Sequence, residues 1–210
     1  MSVHVKGLVL RSRVDYICEH FGADGWRQVL AEIAPENRSI LSDEILISSW
    51  YPLSLLIDLP VTADRIYGKG DLALCRAIGR ESARLALQGV HRSFVREGDP
   101  GFVIRRTNLL WNQYFDSGTN DTERIGPSSV RICYRDFEEP HRAICLGVMG
   151  WLESANTIWG GKDVLVSETT CRCWGDNLCE FLVSWSDARQ WQGPRSFPPS
   201  GSAAGGRGDS

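Results

Sequence analysis

Four of the seven cysteines of this chain, Cys145, Cys171, Cys173 and Cys179, fall within 35 residues, and Glu168 stands three residues before Cys171. Thiolate is a soft ligand that suits zinc, and a structural zinc takes four protein ligands in a closed tetrahedron. The turn-forming run Gly175-Asp176-Asn177 lies between Cys171 and Cys179 and can bring both sulfurs to one point. Cys145 lies in the first turns of a helix-patterned segment. If the strand that ends near Glu168 packs beside that helix, Cys145, Glu168, Cys171 and Cys179 converge. The Cys-x-Cys spacing offers Cys173 in place of Glu168, which would make a four-thiolate site. A third reading is a group of buried, reduced cysteines acting as small apolar residues, since no Cys-x-x-Cys pair occurs. Cys18, Cys75 and Cys133 stand in apolar periodic contexts and are expected in the core.

The elements that must position these groups follow from periodicity. Residues 5–10 alternate like a short strand, and helical patterns follow at about 11–21 and 24–34. Pro52 suits a helix start, and Pro60 is expected to interrupt or restart that helix. Residues 71–89 form an amphipathic pattern with Leu74, Ala77, Ile78, Leu85 and Val90 on one face. A helix from Asp99-Pro100 would bury Phe102, Leu109, Trp111 and Phe115. After residue 118 the pattern changes to strands at about 121–126 and 129–136, a long helix from Pro140 to Trp159, and strands at 163–170 and 179–185. The expected fold is α+β: an N-terminal helical region (1–117) followed by a β-β-α-β-β unit (118–187) with an antiparallel sheet and a long helix. The Gly/Pro/Ser-rich stretch 188–210 is expected to be a mostly disordered tail.

Composition narrows the function classes. The chain has 210 residues, 42% hydrophobic and 23% charged, enough to bury a core without disulfides. Its net charge of −3 argues against a general electrostatic grip on nucleic acid or anionic lipid. No run is long and apolar enough for a membrane span, and the N-terminus has no signal-peptide h-region, so a cytoplasmic protein is expected. No Ser-His-Asp order, phosphate-cradling loop or nucleotide fingerprint occurs, so a non-enzyme is expected.

Two resemblances extend this reading. The segment from Cys145 through Gly-Val-Met-Gly-Trp-Leu-Glu-Ser-Ala, with Ser-Glu-Thr-Thr-Cys-Arg-Cys-Trp-Gly-Asp-Asn-Leu-Cys ending at Cys179, resembles the vinyl-four-reductase (4-vinyl reductase) domain of phenol-responsive sensors. That resemblance implies a structural zinc on Cys145, Glu168, Cys171 and Cys179, with Cys173 outside the site. Ser48-Ser49-Trp50-Tyr51-Pro52 and Trp111-x-x-Tyr114-Phe115-Asp116-Ser117-Gly118 resemble an uncharacterised paralogous family of myxobacteria related to the haem-nitric-oxide-binding superfamily. Haem is disfavoured at this point, because the superfamily's Tyr-x-Ser-x-Arg motif is absent; His91 is the best of four poor axial candidates. Together the resemblances imply a regulatory small-molecule sensor that signals to a separate protein partner. Its small aromatic or lipid-like ligand would touch Trp111, Tyr114, Trp151 and Trp159. A tethering-type interaction scaffold and a tetrapyrrole reductase or accessory factor are the alternatives. A homodimer through an exposed edge strand at Val5–Leu10 is also expected.

Overall fold

The structure is a computed structural model that describes residues 2–89, 92 and 107–186. Short strands β1 (His4–Lys6) and β2 (Trp50–Pro52) pair antiparallel. Helices α1 (Gly7–Glu32), α2 (Pro35–Leu41), α3 (Leu53–Tyr67), α4 (Ala73–Gln88) and α5 (Thr107–Tyr114) make up the helical part. Then come β3 (Thr119–Gly126), β4 (Ser129–Arg135), α6 (Arg142–Ile158), β5 (Lys162–Thr170) and β6 (Cys179–Ser186). The four later strands form one antiparallel sheet in the order β3-β4-β6-β5. The α+β class and the β-β-α-β-β succession are therefore as the periodicity indicates.

Alternation in the sheet explains its buried face. Val130, Ile132 and Tyr134 on β4 meet Val183, Phe181 and Cys179 on β6 in register, and all six are buried. Helix α6 packs across β5 and β6 with Cys145, Met149, Leu152 and Ala155 buried. Its other side lies along α4 in the most extensive helix–helix contact among the described residues. That contact is close because it is made of glycine: a Cβ on Gly79 would run into the Gly147 carbonyl, and one on Gly150 into that of Arg76. Arg76 and Arg80 of α4 flank the crossing and both pair with Glu153 of α6.

Several local expectations are corrected. Only His4–Lys6 of the stretch 5–10 is strand; Gly7 onward is helix, and Val5 is fully buried between β2 and Phe115. The exposed edge from which dimerisation was argued is thus already covered within the chain. The two helices expected at 11–34 are merged into α1, bent at Gly22, whose φ of 71° and ψ of −177° suit glycine alone. α3 continues through Pro60 instead of breaking there. The buried stripe of α4 is Cys75, Ile78, Gly79, Ser82, Ala83 and Leu87, not the larger Leu74 and Leu85, because α6 approaches along the small residues. Leu109 is exposed, and so is Cys18. Phe102, Val90 and the stretch 188–210 lie outside the described residues.

Candidate metal centre and ligand cavity

The first turn of α6 delivers Cys145. His141 caps that helix, its Nδ1 accepting the Ala143 N–H at 3.1 Å, and burial lowers the imidazole's pKa, which keeps the ring a neutral acceptor. Glu168 stands near the end of β5, Cys171 just beyond it, and Cys179 opens β6. The loop between the two cysteines is closed by Asp176, whose Oδ2 accepts the Cys171 N–H at 2.7 Å. The Arg172 N–H points at Cys179 Sγ, 3.3 Å away. One ligand atom from each of Cys145, Glu168, Cys171 and Cys179 lies within 4.8 Å of all the others. Cys173 is half-buried on the 172–174 turn and is not in this group.

Cys145 Sγ is 3.7 Å from Cys171 Sγ and 3.9 Å from Cys179 Sγ. Sulfurs on a tetrahedron with Zn–S bonds of about 2.3 Å stand about 3.8 Å apart, so the spacing is that of ligands around a single ion. The electrostatics are those of a site with surplus negative charge. The hydrogen bond to Cys179, together with burial, pushes the Cys145 thiol up, and burial pushes Cys171 up to about 12. Cys179 is pulled down because it accepts from Cys145 and from the Arg172 N–H. The Glu168 side chain is only 4% exposed; one oxygen takes Arg142, while Oε1 has no hydrogen-bond partner among the described residues. Arg142 also donates to Cys171 Sγ at 3.4 Å and lies over the Trp174 ring. Burial works against its charge, yet Glu168 and Cys171 raise its pKa.

The opposite face of α6 borders a cavity of about 270 Å³ between α1, α4, α5 and α6. Its wall is mostly apolar and includes Trp111, Tyr114 and Trp151. Trp159 is elsewhere: it is buried in a second cluster with Ala83, Leu87 and Leu110, its ring 6.2 Å from that of Trp151. Three of the four aromatic candidates therefore meet at the cavity, and the fourth supports one of them from behind. Sequence reasoning missed the polar part of the wall, Ser12, Arg13 and Ser82. The signal available was Arg11 and Arg13 amid the apolar periodicity of the first part of α1.

No family model matches the chain, and no curated protein matches it. Solved structures do. An H-NOX protein from S. oneidensis in the Fe(II)NO ligation state is 16% identical, with a TM-score of 0.69 over 87% of this chain and 99% of that one. The Fe(II) unliganded H-NOX protein from K. algicida is 11% identical, with a TM-score of 0.66 over 87% of this chain and 97% of that one. The chain has an H-NOX-like fold; none of these matches supports the vinyl-four-reductase resemblance. They also overturn the expectation that haem is disfavoured, because H-NOX domains bind haem and the neighbours are Fe(II) proteins. The missing Tyr-x-Ser-x-Arg motif misled because a fold outlasts its motifs at such low identity. Among the described residues the cavity wall offers Cys75, Tyr114 and Tyr134 as side-chain types that ligate haem iron, and no histidine. Burial holds Cys75 protonated, pushing it up to about 12, and pushes both tyrosines up as well. His91 lies outside the described residues. No described helix is long and apolar enough to cross a membrane.

Proposed function

We propose that the protein is a non-enzymatic ligand-binding module of sensor type, in which one helix carries a structural zinc on one face and a ligand cavity on the other. The observation that carries this reading is the placement of α6. Cys145 joins the thiol–carboxylate cluster, and Ile144, Gly147, Val148 and Trp151 of the same helix line the apolar cavity. A cavity of about 270 Å³ is at the small end of ligand sites and suits one compact apolar or aromatic molecule. Zinc, held by Cys145, Glu168, Cys171 and Cys179, would supply no reaction. Four protein ligands leave no open position for water, so its part is to fix α6 against the β5–β6 edge. The buried, unpartnered Oε1 of Glu168 is the orphan that such a cation satisfies. Ligand entry then works against a fixed floor, and the change is felt by α1, α4 and α5, whose outer surfaces are what a partner protein would meet.

The test is metal and mass analysis of the untagged chain purified without chelator. About one zinc per chain is expected. Cys171→Ser should lose it and destabilise the sheet, since metal binding in such sites is folding free energy. Cys173→Ser should keep it. Well under half an equivalent of zinc with all cysteines reduced, or equal losses from both variants, would overturn the assignment.

A further inference from the structure

Most of the cavity wall is apolar, and its charged groups all come from the first part of α1. Arg13, from the first part of α1, lines the cavity, where its Nη1 donates to the Val9 carbonyl at 3.1 Å and to the hydroxyls of Ser12 and Ser82 at 2.9 Å each. All three acceptors are neutral. The two hydroxyls spend their own protons on carbonyls, Ser12 on Val9 and Ser82 on Ile78, so they hold the guanidinium in place without cancelling its charge. Arg13 forms no ion pair among the described residues. Its Nη2 comes within 3.8 Å of the position a Cβ on Gly147 would take, across the cavity floor. The other charges on the wall, Arg11 and Asp15, neutralise each other at 2.9 Å. Cys75 and Tyr114, the nearest groups able to become anions, are pushed up by burial and stay neutral. Burial also pulls Arg13 down, to about 10, which still leaves it charged at neutral pH.

A fixed cation with no counter-charge among the described residues, set in a mostly apolar wall, is a costly arrangement unless a ligand completes it. We propose that the cavity binds a compact apolar carboxylate, with Arg13 taking the carboxylate and Trp111, Tyr114 and Trp151 taking the apolar body. The guanidinium's planar fork suits that headgroup. This rests on the ligand-binding reading above and adds the charge and class of the ligand. The carboxylate is that of a small aromatic or aliphatic acid, a size the cavity of about 270 Å³ suits.

The experiment is calorimetric titration of the full chain with 1-naphthoate and with its neutral analogue 1-naphthalenemethanol, alongside haem followed by its absorbance. A charged hydrogen bond predicts that naphthoate binds about ten- to hundredfold more tightly than the alcohol. Arg13→Met should erase that preference and leave the alcohol's affinity unchanged. Without ligand, Arg13→Met should raise Tm by about 2–4 °C, because it removes an unpaired charge from the wall. Arg13→Lys, which keeps the charge and loses the fork, should retain part of the preference and guards against a Met variant that fails to fold. Stoichiometric haem binding with no naphthoate binding would overturn the small-acid assignment and leave the ligand-binding reading standing. Equal binding of acid and alcohol would overturn the anion assignment and leave the ligand-binding reading standing. Binding of none of the three would overturn both.

Discussion

The close crossing of α4 and α6 makes a sharp prediction, because one glycine there has no room and its neighbour has some. A Cβ at position 150 would penetrate the Arg76 carbonyl oxygen and stand 2.9 Å from its carbon and 3.0 Å from the Arg80 nitrogen, where ordinary contacts are 3.4–4 Å. The obstacles are backbone atoms, so no rotamer can yield and the helices must part by about 1 Å or more to clear the Arg76 oxygen. Overpacking of this kind costs about 1–3 kcal/mol, and a backbone clash belongs at the upper end. Replacing helical glycine by alanine returns about 0.5–1 kcal/mol. Gly150→Ala should therefore lose about 2 kcal/mol net, a fall in Tm of about 4–8 °C for a chain of this size. Gly147→Ala is the matched control. Its Cβ would meet Arg13 Nη2 and the Cys75 carbonyl at 3.8 Å, an ordinary contact, so only the helical gain remains and Tm should rise by about 2 °C. Scanning calorimetry of both variants checks the pair. If Gly150→Ala is as stable as Gly147→Ala, the helices do not approach as described, and the cavity wall built on α6 is misplaced with them.

Two further outcomes follow from buried groups. Asp64 is fully buried and accepts the N–H of Leu72 at 2.8 Å and of Leu74 at 3.0 Å, joining the end of α3 to the start of α4; Asp64→Ala should cost about 2–4 kcal/mol in denaturant unfolding, and a loss under about 0.5 kcal/mol would refute that role. Thiol labelling at pH 7 should modify exposed Cys18 first and leave Cys75 and Cys133 unreactive, since burial pushes them up to about 12 and about 11. Adding a zinc chelator should bring up to three more thiols into reaction, and an unchanged count would show that no metal protects them.

The parts of the molecule that can be read from the sequence are those whose partners lie near one another in it. Cys171 and Cys179 are joined by one turn, and Glu168 stands three residues before Cys171 near the end of β5, so the cluster is visible in the spacing; only Cys145 has to be placed by tertiary packing. The sheet is legible in part, because its alternation has period two and β3–β4 and β5–β6 pair with their neighbours along the chain, while β4 pairs with β6. The cavity is different. Its wall draws on α1, α3, α4, α5 and α6, and apart from Arg11, Ser12, Arg13 and Asp15 its polar residues come from well-separated parts of the sequence. Aromatic content pointed to Trp111 and Trp151, but aromatic side chains fill cores and cavities alike, and Trp159 went to the core.

Packing also overruled hydrophobicity twice, in one physical direction. On α4 the leucines Leu74 and Leu85 mark the apolar face, yet the helix buries Gly79, Ser82 and Ala83, because α6 presents Gly147 and Gly150 there. Small residues let two backbones touch, and that contact leaves the larger side chains at its margins facing open space. Leu85, half-buried, is on the cavity wall for this reason, and so is Trp151 on the facing helix. The same closeness brings Ser82 of α4 to 2.9 Å from Arg13 of α1. The cavity and its charge are thus a consequence of the glycine crossing: helices held apart by leucines would fill that space and leave Arg13 without the Ser82 hydroxyl.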